Sequence, residues 1–156
     1  MKKIVYLGLL LFILGGCTDG TSSAELVDYN KAKVIHSLEK LSFNPEIPNA
    51  LPFKPAEIRV NVEGVGSREG RFFKVSFLSE DRDEITFRAL ESQNAIDFSD
   101  ETVQINENLE GSYGEKDNIQ ILKWEKDDIY YELFVDSDSV SKRKMLKIAG
   151  DFYRPK

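Results

Sequence analysis

Between residues 56 and 135 the apolar residues recur at every second position, and this alternation constrains the fold more than any other feature. Ile58, Val60 and Val62 alternate with Arg59, Asn61 and Glu63, and Phe73, Val75 and Phe77 flank Lys74 and Ser76. After the charged turn Glu80-Asp81-Arg82-Asp83 come Ile85, Phe87 and Ala89. Side chains on a strand point to opposite faces in turn, so period two marks strands that bury one face. A polar loop leads to Val103 and Ile105, and Gly111 and Gly114 read as a further turn. Residues 119–124 form a strand apolar on both faces, and Lys126-Asp127-Asp128 is a tight turn into residues 129–135. Short connections join antiparallel neighbours, so the expectation is a meander of five or six strands.

The flanks carry a different period. Over residues 25–43, Leu26, Tyr29, Ile35, Leu38 and Leu41 can share one helical stripe, with Lys31, Lys33, Glu39 and Lys40 on the wet side. Pro45, Pro48, Pro52 and Pro55 then forbid helix, which makes 44–55 an extended connector. Ser139 or Ser141 can cap a closing helix to about Tyr153, with Met145, Leu146, Ala149 and Phe152 facing inward. The expected class is α+β: an antiparallel meander with an N-terminal and a C-terminal helix packed on one face.

The first residues have a separate logic. Lys2 and Lys3 precede an apolar run over 4–14, broken by Gly8, and small and polar residues follow. This is the layout of a secretory signal. As a helix, residues 4–16 reach only about 20 Å, against roughly 30 Å of bilayer hydrocarbon. Leu14-Gly15-Gly16-Cys17 resembles the lipobox of bacterial lipoproteins: an aliphatic residue, two small ones and a cysteine. The resemblance implies a diacylglyceryl thioether on Cys17, an N-acyl group there in some lipoproteins, and cleavage between Gly16 and Cys17. Two acyl chains hold a protein stably on a membrane where one does not. The expected organisation is a signal peptide over 1–16, a flexible polar tether over 17–24, and one domain over 25–156. The expected location is the extracytoplasmic face of the cell membrane, in a Gram-positive bacterium.

Loss of Lys2 and Lys3 with the signal takes the formal charge from −6 to −8. That balance argues against nucleic acid, and against a basic patch gripping anionic lipid. Acidity is expected instead to keep a tethered domain soluble and off the membrane surface. With Cys17 the single cysteine, no disulfide can form within the domain, and the nine phenylalanines and five tyrosines beyond residue 16 must supply the packing.

Chemistry is hard to find. His36 is the single histidine, it sits in a charged helical stretch, and neither G-x-S-x-G nor HExxH occurs. Asp136-Ser137-Asp138 begins like a calcium loop, but Ser141 and Lys147 stand where Gly and Glu are required. Asp81 and Asp83 fail the same test at Thr86 and Ser92. No metal is therefore expected. The stretch Gly64-Val65-Gly66-Ser67-Arg68-Glu69-Gly70 misses a phosphate-cradling loop by one residue and joins strands rather than opening a helix, so it reads as a hairpin loop. A hydrolytic carboxylate pair cannot be recognised from spacing along one chain.

Adjacent aromatics are the remaining signal. Phe72 beside Phe73, and Tyr130 beside Tyr131, force one ring of each pair away from the core, and Leu122 and Trp124 stand against Ile119 and Ile121. Phe72, Trp124 and Tyr130 are the candidates for an apolar binding face. Leu51-Pro52-Phe53, Leu122-Lys123-Trp124, Tyr130-Tyr131 and Met145-Leu146-Lys147-Ile148-Ala149 together resemble a domain-of-unknown-function family. That family occurs on surface lipoproteins and anti-sigma-factor-like proteins of Gram-positive bacteria, and it carries no catalytic residues to transfer. The resemblance implies sensing or binding rather than catalysis. The expected function is a non-catalytic, membrane-anchored binding or regulatory domain without cofactor, its partners the membrane through Cys17 and another envelope protein. The alternative is a carrier or chaperone for an apolar ligand such as lipid.

Overall fold

A computed structural model describes residues 25–65, 68–91 and 101–156; the lipobox and Cys17 lie outside these. In chain order the elements are α1 (Ala32–Leu38), β1 (Ile47–Pro48), β2 (Glu57–Val65), β3 (Arg68–Leu78), β4 (Glu84–Leu90), β5 (Glu101–Asn106), β6 (Leu109–Lys116), β7 (Ile119–Lys126), β8 (Ile129–Asp136), α2 (Lys142–Gly150) and β9 (Phe152–Tyr153). Helices and antiparallel strands make this an α+β fold. The strand count differs from expectation: seven strands form one sheet, and β1 and β9 form a two-stranded ribbon of their own.

The sheet is not one continuous meander. Its order is β2-β3-β4-β8-β7-β6-β5, with every neighbouring pair antiparallel. Two meanders, β2 to β4 and β5 to β8, are joined through β4 and β8. Phe73, Ala89, Tyr131 and Trp124 stand in register across four strands, and Val75, Phe87, Leu133 and Leu122 form the next row. All eight are buried. A one-residue slip anywhere would turn these side chains out of the core.

Two hairpins owe their register to tight turns. Asp117 and Asn118 have φ of 54° and 65°, and Asp127 and Asp128 have 54° and 60°. Positive φ at both central residues defines the turn whose twist matches a two-residue hairpin, and Asp and Asn tolerate it. Gly111 and Gly114, expected to mark a turn, lie inside β6 instead. A Cβ on Gly111 would stand 2.5 Å from the Lys123 carbonyl oxygen and 2.9 Å from Ile105 Cδ1. The glycine answers a close backbone approach, not a reversal of the chain.

The helix expected over 25–43 shrinks to the seven residues of α1. Val27 forms an antiparallel bridge with Leu51, and the buried Tyr29 hydroxyl donates to the Pro48 carbonyl at 2.9 Å. Both contacts need extended chain, and the Asn30 side chain then accepts from Ala32 N at 3.1 Å where the helix begins. Val34 is fully buried, and Ile35, assigned to the inner stripe, is exposed. At the other end Ser141 caps α2, its hydroxyl accepting from Lys144 N at 3.3 Å. That helix stops at Gly150, because Phe152 and Tyr153 leave it to pair with β1.

Helix placement therefore differs too. α1 lies against β2, and α2 against β5 and β7, at the margins of the covered face. The ribbon fills the centre: Phe152 meets Phe87, Trp124 and Tyr131 edge-on, at ring-centre distances of 5.6, 5.2 and 6.1 Å. Polar contacts pin the same layer. The Glu46 backbone donates to the Tyr131 hydroxyl at 2.9 Å, and Lys126 Nζ holds the Glu46 carboxylate at 2.7 and 2.9 Å.

Candidate functional site

Arg88 Nε, the buried side-chain donor left without a partner among the described residues, lies on the second face of the sheet. Alternation that sends Ile85, Phe87 and Ala89 into the core sends Glu84, Thr86 and Arg88 the other way. Register then places Asp136, Phe134 and Glu132 of β8 opposite them, and Lys74 and Ser76 of β3 opposite Arg88 and Thr86. A depression of about 200 Å³ is lined here by Lys74, Glu84, Thr86, Arg88, Ile119, Phe134 and Asp136.

Its floor is polar and fixed. The buried Ser76 and Thr86 hydroxyls hydrogen-bond each other, and Thr86 donates to Glu84 Oε1 at 2.9 Å. The Arg88 guanidinium lies over the Phe134 ring at 4.5 Å and donates through Nη1 to Glu132 Oε2 at 3.4 Å. Glu132 is buried, and the Arg88 guanidinium is the cation paired with it. Arg88 Nε, also buried, has no hydrogen-bond partner among the described residues. An arginine stacked by its face keeps its edge donors available to a planar acceptor such as a carboxylate.

The charges are ordered along the strands. Lys74 and Arg88, with Glu132 paired to Arg88, form a net cationic end, and Glu84 and Asp136, directly opposed in register, form an anionic end. Arg88 and Glu84 are four residues apart on one strand, about 13 Å between Cα atoms at the usual rise. Arg88 leans toward the middle of that span, onto Phe134. Such an arrangement can receive a molecule with a negative group at one end and a positive group at the other.

The three aromatic candidates do not form one surface. Phe72 and Tyr130 share the second face, in register across Leu90. Trp124 is on the opposite side, buried and stacked on Tyr131 with ring centres 5.2 Å apart. Its neighbours Leu122 and Tyr131 belong to the same core, so pairing it with Phe72 and Tyr130 is corrected. Gly16 and Cys17 fall outside the described residues. His36 projects into solvent on α1 and pairs with Glu39 at 3.4 Å. Among the described residues no three or more His, Cys, Asp or Glu side chains gather as metal ligands. The Asp136–Asp138 stretch continues into a serine turn, Ser139 N donating to Ser137 Oγ at 3.1 Å.

Sequence reasoning missed Lys74, Arg88 and Glu132, because charged residues at the wet positions of a strand look like ordinary solvated face. Spacing by two along 84, 86 and 88, and along 132, 134 and 136, put each trio on one face. That β4 and β8 are neighbours was not readable.

Comparison with known protein families, with curated proteins and with solved structures finds no match for this chain. Among the described residues no helix is long and apolar enough to cross a membrane.

Proposed function

We propose that this protein is a lipid-anchored extracytoplasmic domain that binds a small zwitterionic ligand, an amino acid or short peptide, on the second face of its sheet. The observation that carries the ligand class is the depression with Lys74 and Arg88 at one end and Glu84 and Asp136 at the other. The ligand carboxylate would meet the arginine edge, and its ammonium the two carboxylates. What favours binding over the carriage of apolar lipid is the covered face, where the ribbon's Phe152 fills the centre against three aromatic rings.

A zwitterionic probe of matching length tests the site. Titration with ε-aminocaproate, followed by backbone amide shifts, is expected to move Lys74, Thr86, Arg88 and Asp136 saturably. Caproate and hexylammonium, each carrying one of the two charges, are expected to bind several-fold more weakly, as are Lys74→Gln and Asp136→Asn with the full probe. Equal shifts from all three probes, or none, would dismiss the assignment. The anchor is tested separately. Cys17→Ser is expected to release the protein from membranes without changing its unfolding midpoint, and retention of that variant through detergent-free washing would refute lipid attachment.

A further inference from the structure

Net charge conceals a division between the two layers of this molecule. Residues 57–65, 68–91 and 101–136, the described sheet and its turns, carry eighteen Asp and Glu against nine Lys and Arg. Residues 137–156, with α2 and β9, carry six Lys and Arg against two Asp. Residues 25–56, which complete the covering layer with α1 and β1, are balanced at four of each sign. The covering layer is thus net positive, and the sheet beneath it is strongly negative. α2 concentrates the effect: Lys142, Arg143, Lys144 and Lys147 lie within one nine-residue helix that holds no acid, Lys142 pairing with Glu101 of β5 at 2.6 Å. Met145, Ile148 and Ala149 take its inner side, which leaves Arg143 and Lys147, one turn apart, exposed on the outer one.

The first described residues pack on the connector over 44–55, and that connector meets the C-terminal end of this helix. Val27 exchanges backbone hydrogen bonds with Leu51, and Asn49 N donates to the carbonyl of Asp151, the residue that ends α2. Lys31 Nζ stands 5.9 Å from the centre of the Tyr153 ring. From Cys17 to Glu25 is eight residues, a reach of at most about 29 Å fully extended.

We infer that the covering layer is a membrane-docking surface, with the outer side of α2 resting on anionic lipid headgroups and the second face of the sheet turned away from the bilayer. The inference rests on the proposed anchor at Cys17. Complementary charge is what orients the domain: a short attachment holds it within reach, the basic layer is attracted, and the acidic sheet is repelled. The ligand depression then faces outward. On this reading the expectation that acidity keeps the domain off the surface applies to the sheet and its turns, while the covering layer carries the opposite net charge.

The test uses the full-length, lipidated protein in vesicles of phosphatidylcholine, with or without one-third phosphatidylglycerol. Spin labels are placed on Gly150→Cys, at the end of α2, and on Asn61→Cys, on the second face, and collisions with a water-soluble nickel chelate are measured. With phosphatidylglycerol, the label at 150 is expected to lose at least about three-fold in accessibility and the label at 61 to keep its own. Protection is expected to vanish in about 0.5 M salt, where the screening length falls to a few ångströms. The paired substitution of Arg143→Glu and Lys147→Glu is expected to abolish it as well, circular dichroism verifying that the fold is kept. Equal accessibility in both lipids, or protection that survives salt and charge reversal, would overturn the orientation while vesicle flotation still verified the anchor. Failure to float with either lipid would remove the anchor, and the orientation with it.

Discussion

At Tyr131 one hydroxyl oxygen, deep among aromatic rings, accepts from the Glu46 backbone and ties the N-terminal connector to the sheet. Burial is the main force on its acidity, pushing the hydroxyl up to about 12, with the Glu46 carboxylate adding to the rise. Burial also raises Tyr29 well above its ordinary value, Tyr153 adding to it. An unfolded tyrosine ionises near 10. Between that pH and the folded value, only the unfolded chain gives up the proton. Stability from these two residues is therefore full below pH 10 and is lost as pH rises toward 12 and beyond. Urea midpoints across that range are expected to fall steeply. Tyr131→Phe leaves the Glu46 N–H unsatisfied and should cost about 1–3 kcal/mol at neutral pH. The same variant should show a shallower alkaline decline, and a decline as steep as the parent's would mean Tyr131 does not titrate as described.

The elements divide into those that local chemistry dictates and those that it does not. Asn118 and Asp128 hold φ of 65° and 60° because short polar side chains tolerate that conformation. Asn118→Val is expected to destabilise by about 1–2 kcal/mol through backbone strain alone, with Asn118→Gly neutral or slightly stabilising. Thermal unfolding of the pair gives the comparison, and equal midpoints would show the turn to be relaxed. β7 was legible for the same reason of locality: Leu122 and Trp124 face the core, and Ile119 and Ile121 the second face, as their parity requires. α1 was not legible. Its apolar spacing fits a longer helix, but the Val27–Leu51 bridge and the Tyr29–Pro48 hydrogen bond claim those residues for extended chain. Contacts 24 and 19 residues away cannot be seen in a window of one helical turn.

For the whole molecule, Phe152 is the ring on which the covering layer closes. Phe152→Ala removes contacts to three aromatics and should cost about 3–5 kcal/mol, a large share of the roughly 5–15 kcal/mol that a domain of this size possesses. Trp124, the single tryptophan, packs against Phe152 at 5.2 Å and reports on the site directly. A red-shifted emission and a lower denaturant midpoint are expected together. A stable variant with unshifted emission would show that the layer is held by α1 and α2 instead. The same layer carries the positive charge, so its packing and its proposed contact with lipid depend on one arrangement of chain.

Alternation determined which side chains of the described sheet strands face inward, because side-chain direction on a strand depends on parity alone and parity is a local property. It also fixed that helix could not cross the four prolines between 45 and 55, and it foresaw the Lys126-Asp127-Asp128 turn. Which strand adjoins which was decided by the tertiary structure. Parity sends Arg88 and Glu132 to the second face, but they meet only because β8 pairs with β4, a junction of residues 44 apart. Neither could a total of −6 reveal that the sheet and its cover differ in sign. Charge is summed along a chain, and a partner meets it as it is distributed over a surface. The candidate site and the proposed docking face both depend on distant segments coming together, and that the folded molecule alone supplies.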